Sequence, residues 1–467
     1  MTTRSVTILG AGLVGSLLAI ILRKRGYEVT IYEGRKDMRA SNVGAGRSIN
    51  LAMSVRGWQA LDLAGLREEM EELAIPMFGR FLHQANGTSV SQQYGTNNEA
   101  IYSVSRGELN KKLMTLAEKH GVKILFEHKC KKVDVSRNLV HLQTPEGAEM
   151  RVEADLLFGA DGAFSTLRSC YSRLERVNAA HTYLECGYKE LCIPSEIAVK
   201  MNIEKNFLHI WPRKNFMMIA LPNMDNSFTC TLFLPFEGSA SFDILKTKED
   251  VLAFFKEYFP DAVPLMPTLL EDFFSNPTSS LITTSISAWH YADKSALIGD
   301  AAHAIVPFYG QGMNAGFEDC TVLAELIDRY GDNWSKILKE YSNQRKPNGE
   351  AVAELALNNF VEMRDKVSDP MFLQRKKIEK ELSKFFPTKF KSVYEMVSFS
   401  HTPYKVALKC TKAQDLLFGK IMENEGDFFE KIKDEKFKQK VDSLVNDYES
   451  SVQEFNKNVL AENNIGC

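Results

Sequence analysis

Three short segments carry residue types whose spacing suits the handling of a phosphate-bearing ligand. The first is Gly10-Ala11-Gly12-Leu13-Val14-Gly15. Gly10 permits a tight turn, Gly12 lets the backbone approach a pyrophosphate, and Gly15 lets a helix pack closely on a strand. The helix start offers free N–H groups and a positive partial charge to the phosphates. Glu33 follows at the end of the next apolar run, where its side chain can accept hydrogen bonds from a ribose diol. Its charge repels a 2′-phosphate, so NADP is excluded from this site and FAD or NAD is left. The second segment runs Ala154-Asp155-Leu156-Leu157-Phe158-Gly159-Ala160-Asp161-Gly162 and on to Ser165 and Arg168. The third is Ala296-Leu297-Ile298-Gly299-Asp300-Ala301-Ala302-His303, then Pro307 and Gly310-Gln311-Gly312-Met313-Asn314. An Asp leaving a buried strand can hold ribityl hydroxyls, and glycines at a new helix start let backbone come close to a flavin ring. That helix start would stabilise negative charge on a reduced flavin. Together these segments select FAD. His303 reads as a satisfied structural histidine rather than a proton shuttle.

These residues need a βαβ scaffold. Ser5–Gly10 and Glu28–Glu33 read as strands flanking an apolar helix that ends near Leu22, which implies a parallel sheet. Helical periodicity covers 56–73 and 107–120, and Val122–Phe126 is strand-like. Leu139–Leu142 and Met150–Val152 suggest a hairpin, and Leu156–Gly159 a buried strand. Between 183 and 290 the pattern becomes antiparallel: strands at Asn206–Trp211, Phe216–Leu221 and Phe228–Leu234, with a helix near Glu249–Tyr258. Ala296–Ile298 returns to an α/β strand, followed by a long helix from Asn314 to about Tyr330. Beyond 336 the chain is helix-rich and charged, with breaks expected at Pro347, Pro370, Pro387 and Pro403. The expected fold class is α/β, α+β overall. It comprises a discontinuous Rossmann-like nucleotide domain over 1–182 (with segments near 70–105 lent to a substrate domain) and 291–335, a β-rich substrate domain over 183–290, and a helical region over 336–467.

Composition excludes other classes. Of 467 residues, 44% are hydrophobic and 25% charged, which is ordinary for a globular protein and unlike a disordered one. A formal charge of −3 argues against a dedicated nucleic-acid binder. The longest apolar run, near Leu13–Leu22, is well short of the ~20 residues a membrane span needs. No basic-then-apolar leader precedes the first strand, so a soluble intracellular protein is expected. The eight cysteines are scattered singly without a Cys-x-x-Cys pair, and the nine histidines do not cluster. Reduced thiols and no metal are the expectation.

In order and spacing, the three segments resemble the single-component FAD-dependent aromatic hydroxylases over roughly residues 5–365. Longer runs narrow the resemblance to the branch that acts on L-kynurenine: Gly46-Arg47-Ser48-Ile49-Asn50-Leu51-Ala52, Ser103-Val104-Ser105-Arg106, Gly187-Tyr188-Lys189-Glu190-Leu191, His209-Ile210-Trp211-Pro212, Ile219-Ala220-Leu221-Pro222-Asn223, Pro307–Asn314 and Val397-Ser398-Phe399-Ser400. The chain departs from that pattern at Ala45, where an Arg is expected, and at Tyr309, in place of His or Phe.

The resemblance implies FAD as bound cofactor, NADPH and O2 as co-substrates, and hydroxylation of the kynurenine ring beside its amine. It implies that Arg80, Tyr94, Asn359 and Tyr394 hold the amino-acid end. The chemistry agrees, since an arginine takes a carboxylate bidentately and a tyrosine adds a hydroxyl donor. Asn359 and its neighbour Asn358 are poor helix formers inside Ala353–Met363, and one is expected to donate into a cavity. Ile219, Leu221, Phe233, Phe308 and Met363 are the apolar candidates for the ring. The FAD set is Gly10, Gly12, Val14, Gly15, Glu33, Arg35, Ala52, Arg106, Asp300, Gly312, Met313 and Asn314, with Cys130 carried by position only. No acid or base is required, because the ring amine already makes the adjacent carbon nucleophilic. Membrane-bound members of the family end in an apolar helix; this chain ends Glu462–Cys467, so a cytoplasmic, bacterial form is expected. Monomer or homodimer stays open. The rival readings are a sibling hydroxylase of another aryl acid, which would need a base near a ring hydroxyl, and a non-catalytic flavin-sensing protein.

Overall fold

Val6, Ile8 and Leu9 are buried along the strand Ser5–Leu9, and the helix Leu13–Lys24 is buried continuously from Gly15 to Leu22. A strand apolar on both faces belongs at the centre of a covered parallel sheet, and that is its place. In the computed structural model, which describes residues 4–40, 50–95, 98–363, 370–424 and 428–464, a six-stranded sheet runs in the order His290–Tyr291, Ser295–Leu297, Leu156–Gly159, Ser5–Leu9, Glu28–Tyr32, Lys123–Leu125. Every pairing is parallel except the first, which is antiparallel. The three candidate segments therefore leave neighbouring strands at the same sheet edge, where α/β sheets bind ligands.

A second sheet of seven strands runs Ser279–Ile286, Ala179–Ile193, Phe228–Pro235, Phe216–Pro222, Leu208–Arg213, Gly79–His83, Ser89–Gln93. Its pairings are antiparallel except Leu208–Arg213 with Gly79–His83, which is parallel and sets Leu208 beside Arg80. The sequence pattern shows its three middle strands and does not show the short strands Gly79–His83 and Ser89–Gln93, the extent of Ala179–Ile193, or Ala74–Met77, which pairs in a separate three-stranded sheet. Ser89–Gln93 is exposed throughout, so no alternation marks it. Ala179–Ile193 begins with an exposed half that carries no apolar signal.

Two helical expectations need correction. The 56–73 stretch is two helices, Val55–Ala64 and Arg67–Glu71, because Gly65 takes the left-handed conformation (φ +64°) that ends a helix. Pro347 does not break the chain: it lies inside the 28-residue helix Trp334–Val361. A proline there forfeits a backbone bond and costs roughly 3 kcal/mol. Tertiary anchoring offsets that. Trp334, Ile337, Leu338 and Tyr341 sit in the core under the parallel sheet, whereas Ala351, Val352 and Leu355 join the core of the C-terminal helices. Residue 336 falls within this continuous helix. Among the described residues no helix is long and apolar enough to cross a membrane, and no group of three or more His, Cys, Asp or Glu side chains could hold a metal ion.

Candidate active site

The edge of the parallel sheet opens into a cavity of about 670 Å³ that extends to one face of the seven-stranded sheet. Gly10, at φ +100°, makes the turn after the first strand, and its N–H donates to the Tyr32 carbonyl (2.9 Å). A Cβ on Gly10 would lie 2.6 Å from the Ala160 carbonyl oxygen, and one on Gly15 would lie 2.1 Å from the Gly10 oxygen. A Cβ on Gly12 would meet nothing within 4 Å. Two glycines thus serve close packing, while the third faces open space directly above a helix N-terminus. That is the cradle a pyrophosphate requires.

Glu33 lines the same end. Its carboxylate accepts from the Ala11 N–H (2.8 Å) and Arg35 N–H (2.8 Å) and pairs with the Arg35 guanidinium (2.9 Å). Burial works to raise its pKa, but Arg35 and the two N–H groups outweigh burial and hold the carboxyl below its usual range. It is therefore ionised and able to accept from hydroxyls. Asp161 also lines the cavity. Burial raises its pKa; one oxygen accepts from the Thr166 N–H (2.7 Å), and the other has no partner among the described residues. Arg168 ties the Asp161 loop to the Asp300 loop by donating to the carbonyls of Ala163 and Ala301. The Asp319 carboxylate fixes the Asp300 loop from behind, accepting from the Gly299 N–H (3.0 Å) and His303 Nε2 (2.6 Å). His303, stacked on Trp289, is held as a structural histidine, although its Nδ1 has no partner among the described residues.

The cavity brings together Gly10, Gly12, Val14, Glu33, Arg35, Ala52, Arg106, Cys130, Asp300, Gly312 and Met313 from the expected cofactor set. Burial, helped by Asp161, pushes the Cys130 thiol up to about 12, so it stays protonated. Gly15 and Asn314 stand behind the wall. The Asn314 amide donates to the Ala52 and Gly310 carbonyls and its oxygen accepts from the Ser54 N–H, so this side chain is consumed in shaping the wall. The Gly46–Ile49 part of the run ending at Ala52, and the departure at Ala45, lie outside the described residues. The open space over Gly12, the ionised Glu33 and the orphaned Asp161 oxygen suit an extended dinucleotide, and a second helix start at Gly312 bounds the far end.

At that far end the lining turns apolar. Ile219, Leu221, Phe233, Phe308 and Met363 all face the cavity, with Phe308 stacked on Phe360 (4.0 Å between rings) and set against Phe233 (4.9 Å). Arg80 and Tyr394 close it. They also line an adjoining chamber of about 440 Å³, together with Tyr94, Tyr309, Asn359, Glu362, Met363 and Lys376. The Arg80 guanidinium lies 4.6 Å from the Tyr394 ring centre and 5.8 Å from that of Tyr94. Arg80 Nε and the Tyr94 hydroxyl are buried with no hydrogen-bond partner among the described residues. Burial alone would lower the Arg80 pKa; the tyrosine hydroxyls and Glu362 outweigh it and leave the pKa raised. Burial, with Tyr394 adding to it, lifts the Tyr94 hydroxyl well above its ordinary value. One guanidinium nitrogen and one hydroxyl, buried without hydrogen-bond partners among the described residues, form a costly arrangement that an anion would relieve.

Asn358 and Asn359 both line the second chamber. The Asn359 amide nitrogen donates to the Phe308 carbonyl (2.7 Å) and so braces the ring wall. Tyr309, noted from sequence only as a departure, stacks on Tyr394 (5.6 Å) and separates the two chambers. Glu362 and Lys376, paired at 3.1 Å, were not anticipated. Glu362 lies three residues after Asn359, a helical spacing that would have flagged it.

This geometry has relatives. Residues 3–356 match the model of an FAD binding domain. Kynurenine 3-monooxygenase of Christiangramia forsetii is 46% identical, over 95% of this chain and 99% of its own. The enzyme of that name from Sus scrofa is 43% identical, over 86% of each chain. Among solved structures, a tetrameric form of 2-methyl-3-hydroxypyridine-5-carboxylic acid oxygenase superposes with a TM-score of 0.65 at 20% identity, covering 79% of this chain and 95% of that one; it shares the fold. A glycine cradle with its acidic partner, an apolar far wall and this depth of sequence identity converge, and the chain belongs to the kynurenine 3-monooxygenase family of FAD-dependent hydroxylases.

Proposed function

We propose that this chain hydroxylates L-kynurenine at the ring carbon beside the amine, consuming NADPH and O2. The observation that carries this reading is the unpartnered pair of Arg80 Nε and the Tyr94 hydroxyl at the closed end of an apolar chamber. Arg80 takes the α-carboxylate, and Tyr94 and Tyr394 flank it. The aryl ring lies among Ile219, Leu221, Phe233, Phe308 and Met363, with Asn359 holding the Phe308 backbone in place. At the other end Glu33 accepts from the adenosine ribose, the Gly12 turn receives the pyrophosphate and Asp300 accepts from the ribityl hydroxyls. Arg35, Ala52, Arg106, Cys130 and Met313 complete that surface. FAD, when bound and reduced by NADPH, supplies the activated oxygen. The protein's own work is orientation, exclusion of water and electrostatics. No side chain needs to remove a proton from the substrate, because the ring amine supplies the electron density.

The division into a nucleotide domain, a β-rich substrate domain and a helical C-terminal region follows from the same reading. So does a cytoplasmic setting, in which NADPH is at hand and thiols stay reduced. The decisive measurement is NADPH oxidation by the FAD-loaded protein across a small aryl panel, with product analysis. Kynurenine should stimulate oxidation and yield the 3-hydroxy product. Stimulation by a phenolic acid and not by kynurenine would overturn the substrate assignment, and a flavoprotein that no aryl compound stimulates would be a sensor.

A further inference from the structure

In the run His209-Ile210-Trp211-Pro212, Ile210 and Pro212 line the second chamber. His209 and Trp211 face the other side of the sheet, beside Phe81 and His83 of the strand that carries Arg80. A linear chain of polar contacts runs there. Asp261 Oδ2 lies 3.2 Å from His83 Nδ1, His83 Nε2 lies 2.9 Å from His209 Nδ1, and His209 Nε2 lies 2.8 Å from the Glu204 carbonyl oxygen. Three contacts need three protons. The carbonyl at one end can only accept, and so can a carboxylate at the other. Asp261 is ionised: burial would raise its pKa, but His83 and the Trp211 indole N–H (2.7 Å) outweigh burial and lower it. Two neutral imidazoles supply two protons, so one contact would be left with two lone pairs facing each other.

We propose that the His83–His209 pair carries three ring protons, as an imidazolium at His83 ion-paired with Asp261, and that this charge holds the Arg80-bearing strand in place. The charge belongs on His83 for two independent reasons. Burial, and the His83 ring beside it, lower the pKa of His209 to about 4, with the Glu204 carbonyl opposing only in part, so His209 is neutral. His83 stacks flat on Trp211 (3.9 Å between centroids, 5° between planes), which suits a cation on an indole face. Among the described residues Arg213 also faces the cluster: it lies 3.9 Å from the other Asp261 oxygen and donates to the His83 carbonyl (2.8 Å). Phe81 and Phe228 supply apolar walls. His83 is thus a positioning residue. It touches neither cavity, yet it closes the strand three positions after Arg80. Loss of its extra proton breaks one of the three contacts and loosens the strand.

The role in substrate binding rests on the function proposed above; the protonation state does not. Two measurements separate them. In the FAD-loaded enzyme without substrate, 15N NMR of labelled histidine should show one ring protonated at both nitrogens at neutral pH, and it should vanish in Asp261→Asn. His83 Nδ1 and the Trp211 indole share Asp261 Oδ2, so the Asn oxygen can keep the Trp211 bond while the carboxylate charge that holds the third ring proton is gone; a thermal melt checks that the variant folds. A wild-type spectrum with every ring singly protonated overturns the proposal. The second measurement compares kinetics at one neutral pH. KM for kynurenine should be about 2- to 10-fold higher in Asp261→Asn than in the wild type, the worth of one net hydrogen bond, with kcat unchanged. Equal KM values in the two proteins overturn the positioning role. Absence of kynurenine turnover in the wild type overturns the function alone and leaves the NMR result standing.

Discussion

At the nucleotide end of the cavity the chemistry lies in the backbone, set out by runs of adjacent residues; at the ring end it lies in side chains from segments far apart in the chain. Gly10, Gly12 and Gly15 work within six positions, and their spacing alone places the turn, the cradle and the packing contact. Arg80, Tyr94, Phe233, Phe308, Asn359 and Tyr394 come from six separate segments and meet only after the two sheets and the C-terminal helices pack. A site made of backbone leaves no room for an added atom where it packs, at Gly10 and Gly15. One made of side chains tolerates substitution but leaves polar groups waiting for a ligand, as Arg80 Nε and the Tyr94 hydroxyl do.

The comparison can be broken most severely at Gly15. Gly15→Val forces methyl groups against the Gly10 carbonyl, and destabilisation on the order of 4 kcal/mol or more is expected, visible as loss of folded protein in thermal melts. Gly12→Ala is the matched control. Its Cβ enters open space, so the melt of the flavin-free protein should hardly move while flavin content falls sharply. Equal damage from the two would erase the distinction between packing glycine and cradle glycine.

Asp300→Ala comes next. If the carboxylate accepts from ribityl hydroxyls, at least one charge-assisted bond worth about 1.5–3 kcal/mol disappears, two if both hydroxyls use it, and the purified protein should be largely colourless. Normal flavin content would remove Asp300 from that role. Arg80→Met tests the opposite end at a similar or smaller scale. It should weaken kynurenine on the order of 10- to 150-fold and leave flavin content unchanged. Decarboxylated kynurenine, a poor ligand to begin with, should lose much less. Equal losses for both ligands would make Arg80 a structural residue.

The smallest effect expected is alkaline. Burial raises the Tyr94 and Tyr309 hydroxyl pKa values well above the ordinary tyrosine value. The unfolded chain therefore ionises first, and stability is full below about pH 10 and falls as pH climbs above it. The slope is at most about 1.4 kcal/mol per pH unit for each hydroxyl. Denaturant melts of Tyr94→Phe and Tyr309→Phe should show a shallower alkaline decline. An unchanged decline would mean that these hydroxyls are solvated.

Local sequence determined what depends on near neighbours. The glycine turn, the strand ending at Gly159, the strands of the second sheet from Phe216 to Pro235 and the helix after Gly312 can all be read from periodicity and turn residues, because apolar alternation and positive-φ turns are short-range requirements. The resemblance named Arg80 and Tyr394, but composition and spacing alone could not tell a buried arginine from a solvated one. Tertiary structure decided the rest. Pro347 stays helical because two separate cores hold its helix. Asn359 turns to the Phe308 carbonyl because the short 3-10 turn Pro307–Tyr309 packs against that helix. The strand Gly79–His83 forms because Leu208–Arg213 offers a parallel edge more than a hundred residues away. Hydrogen-bond partners so distant leave no trace in a window of neighbouring residues, and burial belongs to the packed molecule alone.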